Sequence, residues 1–289
     1  MTVSIERRAK LSLTEFEAVY ASGSRPVILT DATDHWPARA KWSFDFFEAT
    51  FGSKQVRFDK KTWEVGPFIR ELKADAGTGR MPYLKEVKLD EQFPELRADI
   101  RDVALARNNR LASKLLPRSM RIDRGHLAVF IGTRGSGFRT LHWDYSYLHV
   151  FISQIVGDKE VILFRNEDAP YLSVSQQNEN LSTLPDPFDV DVDQFPEFRR
   201  ASPTRITVKQ GETLFVPGGW WHATYIEHPN IAIAESTLDH HNWKLRANWY
   251  LAQYKRSGVS PHRRAALGLY MEGADRLLGT HERRRAAAS

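Results

Sequence analysis

Apolar residues recur at two different periods along this 289-residue chain, and the change of period divides it. Near the start, Leu13-Thr14-Glu15-Phe16-Glu17-Ala18-Val19-Tyr20 has apolar positions at helical spacing, with Gly23 as a stop signal. Arg25-Pro26-Val27-Ile28-Leu29-Thr30 is a short β-rich run. Ser43 can cap a helix through Phe51 that ends at Gly52 and carries Phe44, Phe47 and Phe51 on one face. Residues 95–116 are mixed and predict helix without clear caps. From His126 the period falls to about two, or to short continuous apolar runs. His126–Ile131, Leu148–Val156, Glu160–Phe164, Arg205–Val208, Thr213–Val216, His222–Ile226 and Ile231–Ser236 are strand-length segments separated by Gly, Pro, Asn or Asp. After His240 the helical period returns over Trp243–Arg256. A Ser257-Gly258 break follows, then a helix from Pro261 through Leu278, stopped by Gly279.

This pattern predicts a mainly β chain, because many short strands at such spacing make a sandwich or barrel. Three segments are expected to form one integrated domain: 1–120 packing on the core, 121–239 as the core itself, and 240–289 as a C-terminal helical extension. The apolar residues of that extension, among them Trp249, Tyr250, Leu251, Leu269, Tyr270 and Leu277, are expected to cover the sheet or form a homodimer interface. No repeat period and no low-complexity tract interrupts this organisation.

Composition narrows the chemistry. The chain has no Cys, which excludes disulfides, thiolate zinc sites, iron–sulfur ligation and cysteine nucleophiles. His, Asp and Glu are then the strong metal ligands that remain, and ten His are present. Met1–Lys10 is polar with no apolar stretch of a secretory signal, and no segment approaches the roughly 18 apolar residues of a spanning helix. The expectation is a soluble, cytoplasmic protein with no membrane partner. The net charge of +5 is local: residues 240–289 carry ten Lys/Arg against three Asp/Glu, so residues 1–239 are slightly acidic. Residues 175–198 hold Glu179, Asp186, Asp189, Asp191, Asp193 and Glu197 with no Lys or Arg. Each patch by itself reads first as a solvated face.

Two motifs carry candidate metal chemistry. In Thr140-Leu141-His142-Trp143-Asp144, His and Asp stand two apart, so on an extended backbone both side chains face one side. HxD by itself arises often by chance. The second motif is Gly211-Glu212-Thr213-Leu214-Phe215-Val216-Pro217-Gly218-Gly219-Trp220-Trp221-His222, a turn, a strand, a Pro/Gly loop and a His opening the next strand. If the fold joins them, His142, Asp144 and His222 form a 2-His-1-carboxylate triad, which leaves open positions on a non-haem Fe(II).

The segment around Leu141-His142-Trp143-Asp144, with Gln154-Ile155-Val156-Gly157-Asp158-Lys159 and the strand that follows, resembles the first ligand strand and hairpin of the JmjC, or cupin-like, Fe(II)/2-oxoglutarate oxygenases. Gly211–His222 resembles the second ligand motif of that family. Upstream, Arg25-Pro26-Val27-Ile28-Leu29, His35-Trp36-Pro37, Trp42-Ser43-Phe44, Tyr83-Leu84-Lys85 and Phe93-Pro94-Glu95-Leu96 resemble its small hydroxylase branch. The likeness spans about residues 11–240.

The resemblance implies a double-stranded β-helix (cupin or jelly-roll) core with N-terminal helices and a C-terminal helical pair. It assigns His142, Asp144 and His222 to the iron, and Lys159 to the distal carboxylate of 2-oxoglutarate, where an ammonium suits a carboxylate at the end of an apolar pocket. Thr140 is expected to add a hydroxyl donor. Where many members have Asn after the second ligand, this chain offers Ser236, and where others have Asn after HxD it has His149-Val150-Phe151-Ile152. The cosubstrate contacts must therefore be partly rearranged, with Tyr145, Tyr147, His149 and Gln154 as candidates to compensate. The implied reaction is a dioxygenase hydroxylation with Fe(II), 2-oxoglutarate and O2, releasing succinate and CO2. Substrates implied are, in order, a protein or peptide side chain, a small molecule or natural product, and tRNA. The acidic segment favours a basic peptide, while Arg263, Arg264, Arg283, Arg284 and Arg285 fit RNA phosphates. Demethylation and a non-catalytic cupin-like binding role rank below these.

Overall fold

The computed structural model describes residues 5–75, 82–123 and 126–288, with side chains to residue 284. Twelve strands form the framework among the described residues. They are β1 (Glu6–Arg8), β2 (Val27–Leu29), β3 (Gln55–Phe58), β4 (Lys61–Glu64), β5 (Leu84–Lys88), β6 (Leu127–Gly132), β7 (His149–Val156), β8 (Lys159–Phe164), β9 (Thr204–Val208), β10 (Thr213–Val216), β11 (Trp221–Tyr225) and β12 (Asn230–Thr237). The seven core strands predicted from periodicity are all present, each within a residue or two of its predicted limits.

A seven-stranded sheet in the order β1-β2-β10-β7-β12-β6-β5 faces a three-stranded sheet in the order β11-β8-β9. Apart from the parallel β1–β2 contact, the pairings are antiparallel, which gives the double-stranded β-helix of a cupin. Period-2 alternation sorts the side chains. Val150, Ile152, Leu214 and Val216 of the large sheet meet Val161, Leu163 and Val208 of the small one between the layers. Phe151, Ile155, Phe215, Ile231 and Ile233 point the other way, into one continuous core with Phe16, Trp42, Phe47, Phe68 and Phe93 of the N-terminal segment. Ser43 caps the helix Phe44–Phe51 as its sequence position predicts, its side chain accepting from Phe46 N–H at 3.0 Å, and Phe44, Phe47 and Phe51 are buried.

Three helical expectations are corrected. The Leu13–Tyr20 segment is one short α-turn, Leu13–Glu15, that widens into π-type turns over Phe16–Ala21. Residues 95–116 form only 3₁₀ turns, Pro94–Asp99 and Ala104–Ala106. Most of their backbone bonds close local three-residue turns, and two tie the segment to β12 and the residue after it: Val103 N–H donates to Glu235 Oε2 at 2.9 Å and Arg110 N–H to Leu238 O at 2.6 Å. At the far end, the helix Pro261–Ala288 runs through Gly279 instead of stopping there. The buried Arg110 guanidinium bonds Asp275 at 2.6 Å and Glu282 at 2.7 and 2.6 Å, so one cation ties together the turns on either side of the glycine.

No described helix is long and apolar enough to cross a membrane.

Candidate metal centre

The Pro217-Gly218-Gly219 loop is shaped by its surroundings before it is shaped by chemistry. A Cβ on Gly218 would lie 2.2 Å from Tyr147 O, and Gly219 sits at φ +91°, so glycine is required at both positions. The loop delivers His222 into β11, where it pairs with Leu163 of β8 on one side and with His142 on the other. His142 and His222 exchange main-chain hydrogen bonds, N to O at 3.0 and 2.7 Å. In such an antiparallel pair the two side chains stand on the same face. Their ring centroids are 4.4 Å apart.

Each ring is oriented by a carbonyl two residues upstream. His142 Nδ1 is 2.8 Å from Thr140 O, and His222 Nδ1 is 3.2 Å from Trp220 O. A carbonyl only accepts, so Nδ1 carries the proton in both rings and each Nε2 keeps a free lone pair. Asp144 lies 3.7 Å away, Oδ2 to His222 Nε2. One ligand atom from each of His142, Asp144 and His222 falls within 4.8 Å of the others, an N,N,O donor set for a divalent cation.

The C-terminal helix His240–Arg256 holds the turn that follows Asp144. Ser146 and Tyr147 both adopt left-handed backbone, φ 57° and 59°. The buried Arg246 donates to Ser146 Oγ and, at 2.6 Å, to Met120 O, while Asn242 Nδ2 donates to Tyr147 O at 2.9 Å. The C-terminal extension therefore fixes a piece of the site.

Burial, and next the neighbouring His222, push the His142 imidazole down to about 3, so it is neutral near pH 7, the form that binds metals. Burial also raises the Asp144 carboxyl above its usual value. A divalent cation held by this donor set would offset that cost by supplying the missing charge.

The triad opens into a cavity of about 60 Å³ lined by Tyr83, Phe130, Val150, Ile152, Thr224 and Ala234, with Lys159 in its wall. Lys159 is 2% exposed and its Nζ donates to Tyr83 Oη at 3.1 Å. Among the described residues no carboxylate pairs with it, and burial pulls it down to about 7. An ammonium so placed lacks an anion, and a carboxylate entering the cavity would supply one.

Two expected contacts lie elsewhere. Thr140 has an exposed side chain outside the cavity wall, and its carbonyl is what serves the site by orienting His142. Ser236 shares the sheet face of Ala234 but lies beyond the lining residues. The candidates to compensate are also elsewhere. His149 is buried and its Nδ1 accepts from Gly218 N–H at 2.8 Å; Gln154 Oε1 accepts from Asn230 at 2.8 Å; Tyr147 stacks on Trp143; Tyr145 is 59% exposed. The hydroxyls that do line the cavity are Tyr83 and Thr224. Thr224 was legible as the residue two beyond His222 on one strand, hence on its face. Tyr83 required the tertiary fold.

Two further clusters of potential ligands are already occupied. Asp102 pairs with Arg97 at 2.6 Å beside His126 and Glu235, and Asp239 caps the C-terminal helix, accepting from His241 N–H at 2.7 Å beside His240. The acidic segment is largely neutralised as well, with Glu179 bound to Arg256, Asp186 to Arg139, Asp193 to Arg199 and Glu197 to Arg200. Asp189 and Asp191 of the segment have no ion-pair partner among the described residues.

The fold and the site together define a cupin with a candidate His/Asp metal centre. A model of the cupin-like domain matches residues 44–234, and the chain belongs to that family, the JmjC class of 2-oxoglutarate-dependent oxygenases. It is 27% identical over 240 residues to lysine-specific demethylase 8 of Xenopus tropicalis, covering 78% of this chain and 50% of that protein. It is 24% identical over 242 residues to the human bifunctional peptidase and (3S)-lysyl hydroxylase JMJD7, covering 73% and 76%. It is 24% identical over 225 residues to the tRNA wybutosine-synthesizing protein 5 of Gallus gallus, covering 72% of this chain and 69% of that protein. The chain spans about half the length of the first two curated relatives it matches.

Proposed function

We propose that this protein is an Fe(II)- and 2-oxoglutarate-dependent oxygenase that hydroxylates a C–H bond of a protein or peptide side chain. The observation that carries this reading is the convergence of His142, Asp144 and His222 in the lining of a cavity whose wall also holds a buried lysine without an anionic partner. His142 Nε2, His222 Nε2 and an Asp144 oxygen would hold Fe(II), and Lys159 would receive the distal carboxylate of 2-oxoglutarate. When bound, that pair with O2 supplies the oxidising chemistry that places one oxygen atom on the substrate and releases succinate and CO2.

The chain's own residues do the rest. Thr224 Oγ1 accepts from Phe138 N–H at 2.9 Å, and Tyr83 Oη accepts from Lys159, so each hydroxyl proton stays free to donate to a carboxylate in the cavity. These two take the part that Thr140 and Ser236 were expected to play. Val150, Ile152, Ala234 and Phe130 line the remainder and keep water from competing for Lys159. A peptide side chain suits a cavity this narrow, and one relative carries lysyl hydroxylase in its name. The exposed Leu269, Tyr270 and Leu277 of the last helix support a homodimer through the C-terminal helices, which sedimentation of Leu277→Glu would reduce to monomer.

Succinate release after adding Fe(II), ascorbate and 2-oxoglutarate, with a +oxygen product in a peptide or tRNA fraction that His222→Ala does not make, tests the function. A +oxygen product in peptides is expected. Absence of iron binding and of succinate with every fraction would overturn the reading.

A further inference from the structure

The histidine that opens β7 faces away from the cavity. Val150 and Ile152 point between the two sheets, so by alternation His149 and Phe151 take the other face, where the His149 ring lies 5.3 Å from that of Phe215. Burying an imidazole there, at 4% exposure, costs more than burying a phenyl ring unless its nitrogens find partners.

One of them does. The β7–β10 ladder runs from the Ser153–Thr213 pair to Val150–Val216, and the residue after Val216 is Pro217, which has no N–H to continue it. The next N–H, on Gly218, goes to a side chain instead, donating to His149 Nδ1 at 2.8 Å. A ring nitrogen that accepts carries no proton, so the proton of neutral His149 is on Nε2, the opposite tautomer to His142 and His222. His149 Nε2 faces Asp239 Oδ1 at 3.6 Å and has no closer hydrogen-bond partner. A carboxylate on that side favours an N–H there, which leaves Nδ1 to accept.

This bond acts on a distance that the main-chain bridge leaves open. The bridge holds His222 against His142, but Asp144 leads into a separate turn, Tyr145–Tyr147. The turn and the glycine loop meet where Gly218 passes so close to Tyr147 O that a Cβ would lie 2.2 Å from it. Asn242 holds Tyr147 O at 2.9 Å from the helix side, and His149 holds Gly218 from the sheet side. A loop released at Gly218 is free to draw away from Tyr147, and with it His222 from Asp144, now 3.7 Å apart.

We infer that His149 is a positioning residue for the metal centre: through the Gly218 N–H it sets the Pro217-Gly218-Gly219 loop, and so His222, against Asp144. This rests on the reading of His142, Asp144 and His222 as metal ligands, and it gives His149 no contact with iron or 2-oxoglutarate.

The test uses the full chain labelled with 15N. A scalar coupling across the hydrogen bond between the Gly218 amide nitrogen and His149 Nδ1 is expected, with the ring proton on Nε2. Two variants separate the acceptor from the ring: His149→Phe keeps a ring beside Phe215 and has no acceptor, while His149→Asn places Oδ1 near the position of Nδ1. Mn(II) affinity of the folded chain should fall at least about tenfold in His149→Phe and stay within about threefold of wild type in His149→Asn. The Co(II) absorption spectrum should shift in the first and return in the second. A lowered urea midpoint in His149→Phe with unchanged Mn(II) affinity and Co(II) spectrum would show that the ring only packs, and would overturn the inference. Equal loss of affinity in both variants, or a ring proton found on Nδ1, overturns it too. Should His149→Phe not fold, His149→Asn decides alone, a tenfold loss counting against the acceptor role. Failure of the wild-type chain to bind Mn(II) and Co(II) overturns the metal-centre reading itself, whatever the coupling shows.

Discussion

His142 and His222, 80 positions apart in the chain, are direct partners in one antiparallel bridge, N to O at 3.0 and 2.7 Å in both directions. The main chain, not a surface loop, sets the spacing of the two imidazoles. A centre built on paired backbone is more rigid than one built on loops, and holds its donors in place before any cation arrives.

Removing one donor should therefore cost metal without costing the fold. His142→Ala is expected to weaken Mn(II) or Fe(II) binding by at least about 100-fold while circular dichroism is unchanged, since the bridge is main chain. Titration with metal and measured stoichiometry check it; normal occupancy would mean that His142 is not a ligand.

Lys159→Ala should leave metal affinity near wild type and raise the apparent 2-oxoglutarate requirement by about 10- to 100-fold, the loss of one charge-assisted contact. Because burial holds free Lys159 near 7, binding a carboxylate above that pH must draw in a proton. Calorimetry at pH 8 in buffers of different ionisation enthalpy should register proton uptake on 2-oxoglutarate binding, and affinity should fall as pH rises beyond 7. Lys159→Ala should abolish the uptake.

Arg246 lies on the C-terminal helix and never touches the cavity, yet it pins the left-handed turn after Asp144. Arg246→Ala should destabilise the protein by about 3 kcal/mol, since it strands buried acceptors on Ser146 and Met120. It should also weaken metal binding at temperatures where the protein is fully folded. A lowered urea midpoint with unchanged metal affinity would show that the turn keeps its shape without the arginine.

Glu235 gives the fold a pH dependence of its own. Burial raises its carboxyl to about 8, with Val103 N–H opposing as a donor. The folded value lies above the unfolded one, so its contribution to stability is complete below about 4.5 and is lost as pH rises through 8. Glu235→Gln keeps an acceptor for Val103 and cannot ionise. At pH 8.5 it should be more stable than wild type by on the order of 2 kcal/mol, and near pH 5 about equal. Urea midpoints at the two values decide this.

Much of the site was legible in residue order because its signals are local. HxD spacing, the Gly-Asp-Lys turn and the Pro-Gly-Gly-Trp-Trp-His run each fix which side chains share a strand face, and alternation at period two needs no knowledge of the partner strand. The same holds for the seven core strands and for Ser43 as a helix cap. The hydroxyl contacts expected of Thr140 and Ser236 were read from those local faces, but neither side chain lines the cavity.

What the tertiary structure alone decided is non-local. Whether His142 meets His222 depends on pairing across the barrel. That Tyr83 reaches Lys159, and that Glu179 and Asp186 of the acidic segment find Arg256 and Arg139 far along the chain, both depend on which surfaces the packed core brings together. The continuation of the last helix past Gly279 has the same origin. A glycine is a stop signal only where nothing beyond it is held, and here a buried arginine holds Asp275 and Glu282 at once. Residue order determined the strands, their faces and the donor types; the closing of one sheet upon another determined which of them became neighbours, because burial of apolar surface is blind to distance along the chain.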